Sequence, residues 1–189
     1  MSTDPWGRSD REWIQTYRGR QFWPLQPRAE EVFLDDIAHA LARQCRFSGH
    51  CLAFYSVAQH SILVSQCAPP GEDPLWGLLH DAAEAYLIDM ARPVKHSPML
   101  DGFRQVEDLV MAAICRRFGI AKTQPAWVKH ADRVVLATEK RDVMAPPARP
   151  WTPGLEPLPE PIRPLGPLDA ERAFHERFAE LQHRSRANR

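Results

Sequence analysis

Two adjacent titratable residues, His80 and Asp81, stand in an apolar, alanine-rich stretch of the sequence, and Glu84 follows three positions later. Burying such groups is costly unless a partner compensates them, and a divalent metal ion is the simplest partner. His60 and Asp132 lie in two further apolar segments whose patterns are typical of helices. Two histidines and two aspartates, spread over separate helices, are the ligand types of a hydrolytic metal site.

The mixture of donor atoms indicates which ions such a site would hold. Imidazole nitrogen and carboxylate oxygen suit Mn, Co, Zn, Fe or Ni better than Mg. Such an ion lowers the pKa of water and yields a nucleophile near neutral pH. His80 and Glu84 are four residues apart in a predicted helix, so we expect them to share a face. Glu84 would then be placed to orient that water or to move a proton.

Each of these residues also has an ordinary structural interpretation. A buried histidine such as His60 is usually a hydrogen-bonded core residue, and an aspartate such as Asp132 often caps a helix or pairs with a cation. A His-Asp dipeptide alone is a weak signal. The ordered combination on three apolar segments favours the metal site.

Helical periodicity dominates the 189 residues, of which 44% are hydrophobic and 25% charged, as in an ordinary globular domain. Alternating segments typical of strands are absent from the sequence, so the expected fold class is all-α. Residues 1–27 are expected to be irregular, and residues 89–95 to form a loop. We predict helices over about 27–45, 56–66, 74–88, 100–118 and 125–144, and a last helix that Asp169 caps.

Proline usage divides the chain. Half of its 18 prolines fall within residues 146–167, where they exclude helix and central strand. We therefore expect residues 1–145 to form the core with its N-terminal arm. Residues 146–189 should form a proline-rich extended strap and a C-terminal helix. The strap would either lie on the core or act as a semi-rigid spacer.

Charge and cysteine usage limit the partners and the compartment. The net charge is zero with neutral histidines, so no global field attracts nucleic-acid polymers or an anionic membrane. Residues 1–6 lack the features of a signal peptide, and no apolar run approaches the ~20 residues of a membrane span. We expect a cytoplasmic protein with buried free thiols, since no C-x-x-C pair occurs among Cys45, Cys51, Cys67 and Cys115.

Three segments resemble the HD-domain metal-dependent phosphohydrolases: residues 55–61 (YSVAQHS), residues 80–85 (HDAAEA) with Asp89 and residues 93–95 (PVK), and residues 129–133 (KHADR). The sequence is most similar to the YfbR-like branch, which includes 5′-deoxynucleotidases and phage-type dNTP-hydrolysing relatives. Residues 36–41 and 46–50 look like the phage-type members. The resemblance covers about residues 16–144 and implies an all-α HD-domain bundle.

Carried over residue by residue, the resemblance implies a site and a reaction. The family's metal ligands fall on His60, His80, Asp81 and Asp132, its catalytic acid on Glu84 and its second active-site carboxylate on Asp89. The implied function is hydrolysis of a nucleotide, most simply a 5′-deoxynucleotide, by metal-activated water. The alternatives are a dNTP triphosphohydrolase and, from another class, a non-catalytic nucleotide-binding module. HD bundles of this type are often homodimers.

Several basic and aromatic residues are candidates for substrate binding. Lys95 and Arg92 follow the His-Asp segment closely and could clamp a phosphate, as could Arg18 and Arg46. Trp23 could stack on a base. The competing interpretations are solvated surface charge for the basic residues and core packing for the tryptophan.

Overall fold

Helices occupy most of the chain in this computed structural model, which describes Arg8 and residues 12–149 and 154–187. The α-helices are α1 (Leu34–Arg43), α2 (Val57–Gln66), α3 (Pro74–Leu79), α4 (Arg92–Lys95), α5 (Asp101–Phe118), α6 (Ala126–Asp142) and α7 (Pro167–Ala187). Short 3-10 helices cover Ala29–Glu31, Arg46–Gly49, Ala82–Ala85 and Pro98–Leu100. The predicted all-α fold class is confirmed.

The central element is α2, which contacts α1, α3, α6 and α7. Ser56 caps its first turn by accepting a hydrogen bond from the backbone N–H of Gln59 at 3.1 Å. Eight of its ten residues are buried, because neighbouring helices cover it on several sides. The predicted bounds of this helix are confirmed, and His60 is thereby placed inside the core.

The two long helices that follow also agree with their predicted bounds. The last turn of α5 ends at Gly119, whose φ of +68° is a left-handed conformation that glycine adopts without strain. The helix α6 starts directly after Pro125 and carries Asp132 in its first half. These ends were predictable because caps and breakers act through the local backbone.

The helix predicted over residues 27–45 is interrupted. A 3-10 turn ends at Glu31, and Val32 and Phe33 have extended backbones before α1 begins. The carbonyl of the buried Val32 accepts a hydrogen bond from Arg117 Nε on α5 at 3.0 Å. The side chain of Arg117 thus donates to a carbonyl oxygen that would accept a backbone hydrogen bond in a continuous helix.

Three other local predictions were wrong in detail. A two-stranded antiparallel hairpin, β1 (Ile14–Gln15) and β2 (Gln21–Phe22), lies within the arm that was expected to be irregular. The expected loop 89–95 contains the single-turn helix α4, in which Pro93 occupies the first turn. Asp169 lies inside the first turn of α7 rather than at its cap, because Pro167 already begins the helix.

The predicted helix 74–88 breaks at the His-Asp pair. The helix α3 ends at Leu79, and the backbone of Asp81, with φ −103° and ψ 14°, has left the helical region. His80 Nδ1 lies 2.8 Å from the carbonyl oxygen of Gly77, so its N–H competes with the helical backbone donors for that carbonyl. The expectation that His80 and Glu84 share one α-helical face was therefore wrong.

The proline-rich strap lies on the core. The backbone N–H of Leu158 donates to Thr138 Oγ1 at 2.9 Å, and that of Ile162 donates to Asp142 Oδ2 at 2.8 Å. Leu165 N–H donates to Gln59 Oε1 on α2 at 2.9 Å. After the strap, α7 buries the predicted apolar positions Ala170, Phe174 and Leu181, whereas Phe178 is partly buried. Residues 150–153 of the strap lie outside the described residues.

The remaining sequence expectations have mixed outcomes. The four cysteines are free thiols, but Cys115 alone among them is buried and the others are half-buried. Within the described ranges, no helix combines the length and apolar character needed to cross a membrane. The expectation about a signal peptide concerned residues 1–6, which lie outside the described residues.

Close helix packing beside the His-Asp pair depends on Gly77. A Cβ atom at this position would lie 2.7 Å from Trp127 Cη2 and 2.9 Å from Ser65 Cα. Gly77→Ala is therefore expected to push α3 off α2 and to lower the free energy of unfolding by about 1–3 kcal/mol. Chemical denaturation of wild type and variant measures the loss.

Gly102 provides the matched control, because a Cβ there meets nothing within 4 Å. Gly102→Ala is expected to be neutral or to stabilise the protein by up to about 1 kcal/mol through helix propensity. Equal stabilities of Gly77→Ala and Gly102→Ala would contradict the packing argument.

Candidate metal centre

Four side chains predicted as metal ligands converge from three parts of the chain. His60 lies on α2, His80 and Asp81 lie at the end of α3, and Asp132 lies on α6. His60 Nε2 is 3.3 Å from His80 Nε2, 3.3 Å from Asp132 Oδ1 and 3.6 Å from Asp81 Oδ2. Asp81 Oδ2 is also 3.2 Å from His80 Nε2. Donor atoms of His60, His80 and Asp132 lie mutually close enough to share one ion.

The second ring nitrogen of each histidine, Nδ1, lies within hydrogen-bond distance of a neighbouring oxygen, and this contact fixes the tautomer and orientation of the ring. His60 Nδ1 is 2.7 Å from Glu139 Oε1, and His80 Nδ1 is 2.8 Å from the Gly77 carbonyl oxygen. Both neighbours are acceptors, so both Nδ1 atoms carry the proton and both Nε2 lone pairs face each other. Such an arrangement requires a positive charge between the rings, which either a proton or a metal ion can supply.

The electrostatics of the cluster favour cation binding. Burial raises the pKa of Asp81, but His80, His60 and Arg46 outweigh burial and hold that pKa well below its usual range. Asp132 is likewise held below its ordinary pKa, because its hydrogen bond to His60 and the two imidazole charges outweigh burial. Burial and Arg46 lower the pKa of His60, whereas Glu139 and Asp132 prevail and raise it to about 9.

Glu139 connects the cluster to the guanidinium of Arg46. It is fully buried on α6, and its Oε2 lies 3.2 Å from Arg46 Nη2 while Oε1 contacts His60. Burial alone would raise the pKa of Glu139, but Arg46 and His60 lower it. Arg46, a predicted phosphate ligand, also lies 3.7 Å from Asp81 and is only 12% exposed, so its charge is already compensated by two carboxylates.

Glu139→Gln is expected to destabilise the protein by about 3 kcal/mol, the low end for a broken buried ion pair. It should also weaken metal binding about 10–100-fold, because the carboxylate that orients His60 is lost. Thermal unfolding and metal titration measure the two effects. Glu171→Gln is the control: it removes a carboxylate that pairs with Arg43 away from the cluster, at a cost below about 1 kcal/mol. Wild-type behaviour of Glu139→Gln would contradict the assigned role.

The two predicted catalytic carboxylates lie beside the cluster. Glu84 is only 5% exposed, and its Oε2 has no hydrogen-bond partner within the described part of the chain. Burial, together with Asp81 and Asp89, raises the pKa of Glu84 well above its ordinary value. The pKa of Asp89 is raised by burial and by Asp81, against the effect of Arg46. The arrangement favours a protonated carboxyl at Glu84.

A cleft of about 910 Å³ opens from the cluster. Its volume falls within the roughly 300–1,000 Å³ typical of small-molecule sites. Glu84, Asp89, His80, Asp81 and Asp132 all line it. The apolar part of the cleft wall is formed by Phe47, Trp76, Leu109, Met111 and Leu136. The cleft therefore offers both a polar end and an apolar surface large enough for a base or sugar.

The cations that line the cleft include three that the sequence suggested, Lys95, Arg92 and Arg46, and two that it did not, Lys122 and Lys129. Lys95 lines the cleft, but its Nζ is 2.5 Å from Glu107 Oε1 and 3.8 Å from Glu84 Oε1, so its charge is compensated. Arg92, Lys122 and Lys129 also line the cleft, and none has an ion-pair partner among the described residues. Lys122 and Lys129 were not singled out from the sequence, although Lys129 begins the segment 129–133 that contains Asp132.

Two predicted substrate residues, Arg18 and Trp23, do not line the cleft. Arg18 forms an ion pair with Asp35 at the start of α1, and its backbone N–H donates to Asp36 Oδ1 at 2.9 Å. Trp23 is only 6% exposed and stacks beneath the guanidinium of Arg8 at 3.7 Å. Phe22 of the hairpin is buried and stacks on Tyr86, and the described residues of the arm do not line the cleft, which sequence spacing could not reveal.

A strained turn forms one rim of the cleft. Phe47 and Ser48 have φ values of +55° and +53°, and Gly49 follows at +84°. Left-handed backbones at residues other than glycine cost about 1–3 kcal/mol each and cluster at functional sites. The turn sets Phe47 in the cleft wall directly after Arg46.

Comparison with known proteins identifies relatives but no activity. No family model matches the chain. An uncharacterized protein of Rhodobacter capsulatus is 38% identical over 129 residues, which are 64% of this chain and 65% of that protein. Escherichia coli YfdR, itself described as uncharacterized, is 37% identical over 172 residues, which are 89% of this chain and 94% of that protein. A similarity of this extent over nearly the whole of both chains shows that the protein belongs to the same family as YfdR.

Proposed function

We propose that this protein is a metal-dependent phosphohydrolase that acts on nucleotides, most simply on 5′-deoxynucleotides. One observation carries the proposal: two imidazole Nε2 atoms and two aspartates converge beside a cleft that is also lined by three cations with no ion-pair partner among the described residues. The polar end suits a metal-assisted reaction at phosphorus, and the cations suit an anionic substrate. The resemblance to HD-domain phosphohydrolases agrees with this interpretation.

The residues present fit a divalent ion. His60, His80, Asp81 and Asp132 supply two nitrogen and two oxygen donors, a set that favours Mn, Fe, Co, Ni or Zn over Mg. When bound, such an ion supplies Lewis acidity that polarises a phosphate and lowers the pKa of a nearby water molecule. The hydrogen bonds that both Nδ1–H groups donate hold the rings in the tautomer that ligation needs.

The protein's own residues would manage protons and charge. Glu84, protonated by virtue of its burial, can donate its proton to the oxygen of the leaving group. Asp89 is the second carboxylate in reach of the cleft and can receive a proton from water. Arg92, Lys122 and Lys129 can orient the phosphates, and the apolar wall excludes water from the nucleoside part.

A dNTP triphosphohydrolase is the second candidate. The number of cationic side chains without an ion-pair partner in the described cleft favours it, because three of them suit a chain of phosphates better than a single one. The two reactions differ in their product. A monophosphatase releases inorganic phosphate from a nucleoside monophosphate, whereas a triphosphohydrolase releases tripolyphosphate from a dNTP.

The decisive experiment is a nucleotide panel on metal-free protein reloaded separately with Mn, Fe, Co, Ni, Zn or Mg. Released phosphate, pyrophosphate and tripolyphosphate are measured separately for ribo- and deoxynucleotides. We expect turnover with at least one of the first five metals and little with Mg. Tight nucleotide binding without turnover under all conditions would instead identify a non-catalytic nucleotide-binding module.

The rim cations make a separate prediction. Replacing both Lys122 and Lys129 with Ala is expected to raise KM for the preferred nucleotide about tenfold, equivalent to ~1.4 kcal/mol. The metal content should be unchanged, and the effect should shrink at high salt because exposed charges are screened. Arg116→Ala removes an exposed cation on α5 that does not line the cleft and should leave KM unchanged. Equal KM values for all three proteins would exclude these lysines from the substrate site.

A further inference from the structure

Gln44 is a residue that neither motif nor spacing singled out. It is half-buried and forms the C-terminal cap of α1, where its backbone N–H donates to the Ala40 carbonyl oxygen at 3.2 Å. Its own carbonyl oxygen accepts from the N–H of Val57, the first residue of α2, at 3.0 Å. The backbone of Gln44 is therefore attached both to α1 and to the helix that carries His60.

The side-chain amide of Gln44 forms two hydrogen bonds to the segment from Glu84 to Asp89. Its Nε2 donates to the carbonyl oxygen of Glu84 at 2.9 Å, and its Oε1 accepts from the backbone N–H of Asp89 at 2.9 Å. The orientation of the amide is determined by its partners, since a flipped amide would oppose like groups at both ends. One rigid, planar group thus spans the segment from Glu84 to Asp89.

The loop 86–91, which contains Asp89, needs an external anchor. It connects the 3-10 helix Ala82–Ala85 to α4 and contains no regular element of its own. Glu84 lies in that 3-10 helix and Asp89 in the loop, and both side chains line the cleft beside Asp81, which raises the pKa of each. The amide of Gln44 therefore joins two backbone positions, residues 84 and 89, that no regular element connects.

We infer that Gln44 is a positioning residue: its amide fixes the separation of the Glu84 and Asp89 carboxyl groups, and thereby the geometry of proton transfer. The effect on turnover rests on the proposed function. The bridge itself does not, because it is a property of the backbone. A displacement of about 1 Å at a reacting group can lower a rate by about 10²-fold.

Gln59 provides an unusually close control. It too forms two hydrogen bonds to one segment through its amide, donating to the Arg163 carbonyl oxygen at 2.8 Å and accepting from Leu165 N–H at 2.9 Å. That segment is the proline-rich strap, whose described residues do not line the cleft. Gln44→Met and Gln59→Met therefore remove the same number and kind of bonds from different segments.

The experiment compares wild type, Gln44→Met and Gln59→Met by amide hydrogen exchange at Asp89, metal content, thermal unfolding, and kcat and KM. Gln44→Met should accelerate exchange at Asp89 at least about tenfold through local opening. It should lower kcat about 10–100-fold, with KM and metal content nearly unchanged. Gln59→Met should lose comparable thermal stability and keep both the Asp89 protection and kcat.

Gln44→Glu provides a graded variant, and it also carries the test if Gln44→Met does not fold. The carboxylate can still accept from Asp89 N–H but cannot donate to Glu84, so protection at Asp89 should persist while kcat falls. Full kcat in both Gln44 variants, or an equal fall of kcat in Gln44→Met and Gln59→Met, would overturn the inference. If wild type hydrolyses no nucleotide, the proposed function fails, but the bridge can still be tested by amide hydrogen exchange. Unchanged protection of the Asp89 amide in Gln44→Met would then overturn the bridge.

Discussion

Asp81→Ala is expected to yield a folded protein that binds no divalent ion and has no measurable turnover. Asp81 Oδ2 lies 3.2 Å and 3.6 Å from the two Nε2 atoms, and it faces the cleft rather than the apolar core. Without it, the negative charge that balances a cation between the imidazoles is halved. Metal affinity should fall well beyond the roughly 100-fold that loss of an outer hydrogen-bonding partner can reach.

The fold should survive this change. Arg46, which loses one carboxylate neighbour, keeps Glu139 at 3.2 Å. The far-ultraviolet circular dichroism of the variant should match that of wild type, while elemental analysis shows the metal lost. Asp108→Ala is the control, because Asp108 also lines the cleft but is not part of the ligand set. Full metal occupancy together with full turnover in Asp81→Ala would refute the proposed centre.

Glu84→Gln is expected to lower kcat by about 10²–10⁴, the usual contribution of general acid–base catalysis. Glutamine keeps the size of the side chain and is uncharged, like the protonated carboxyl group. Its amide has no acidic proton to donate to a leaving group. Since the native carboxyl is held neutral by burial and by Asp81 and Asp89, the exchange should disturb the local electrostatics little. Metal content and KM should therefore stay close to wild type.

Single-turnover kinetics with the preferred nucleotide separate this chemical effect from product release. Asp108→Asn is the matched amide control in the same cleft and should change kcat no more than a few-fold. If Glu84→Gln lost its metal, Glu84 would be a ligand rather than a proton donor. Unchanged kcat would remove it from the mechanism altogether.

Several elements could be predicted from sequence because their causes are local. Ser56 caps α2 within its own first turn, Gly119 ends α5 with a left-handed backbone, and Pro125 precedes α6 directly. Capping, chain stiffness and apolar periodicity act over a few residues, so they can be read along the chain. The same reasoning singled out His60, His80, Asp81 and Asp132, since titratable groups in apolar segments require a partner.

The features that the sequence did not indicate depend on contacts between distant residues. The helix break after Leu79 accompanies a hydrogen bond from the His80 side chain to the Gly77 carbonyl oxygen. Val32 stays extended because its carbonyl oxygen accepts a hydrogen bond from Arg117 of α5. Neither contact leaves a pattern in the local sequence. The partner of Lys95 was equally hidden, because Glu107 becomes its neighbour only when α5 packs beside the cleft.

By itself, then, the sequence determined the all-α class, the main helices and the residue types able to hold a metal. Tertiary structure alone decided that the two Nε2 atoms face each other at 3.3 Å, that Glu139 and Gly77 fix their tautomers, and that Gln44 spans Glu84 and Asp89. The physical reason is the distance along the chain over which each interaction acts. Helix formation is governed by neighbours three or four residues apart, whereas a site is defined to within an ångström by side chains that only packing brings together.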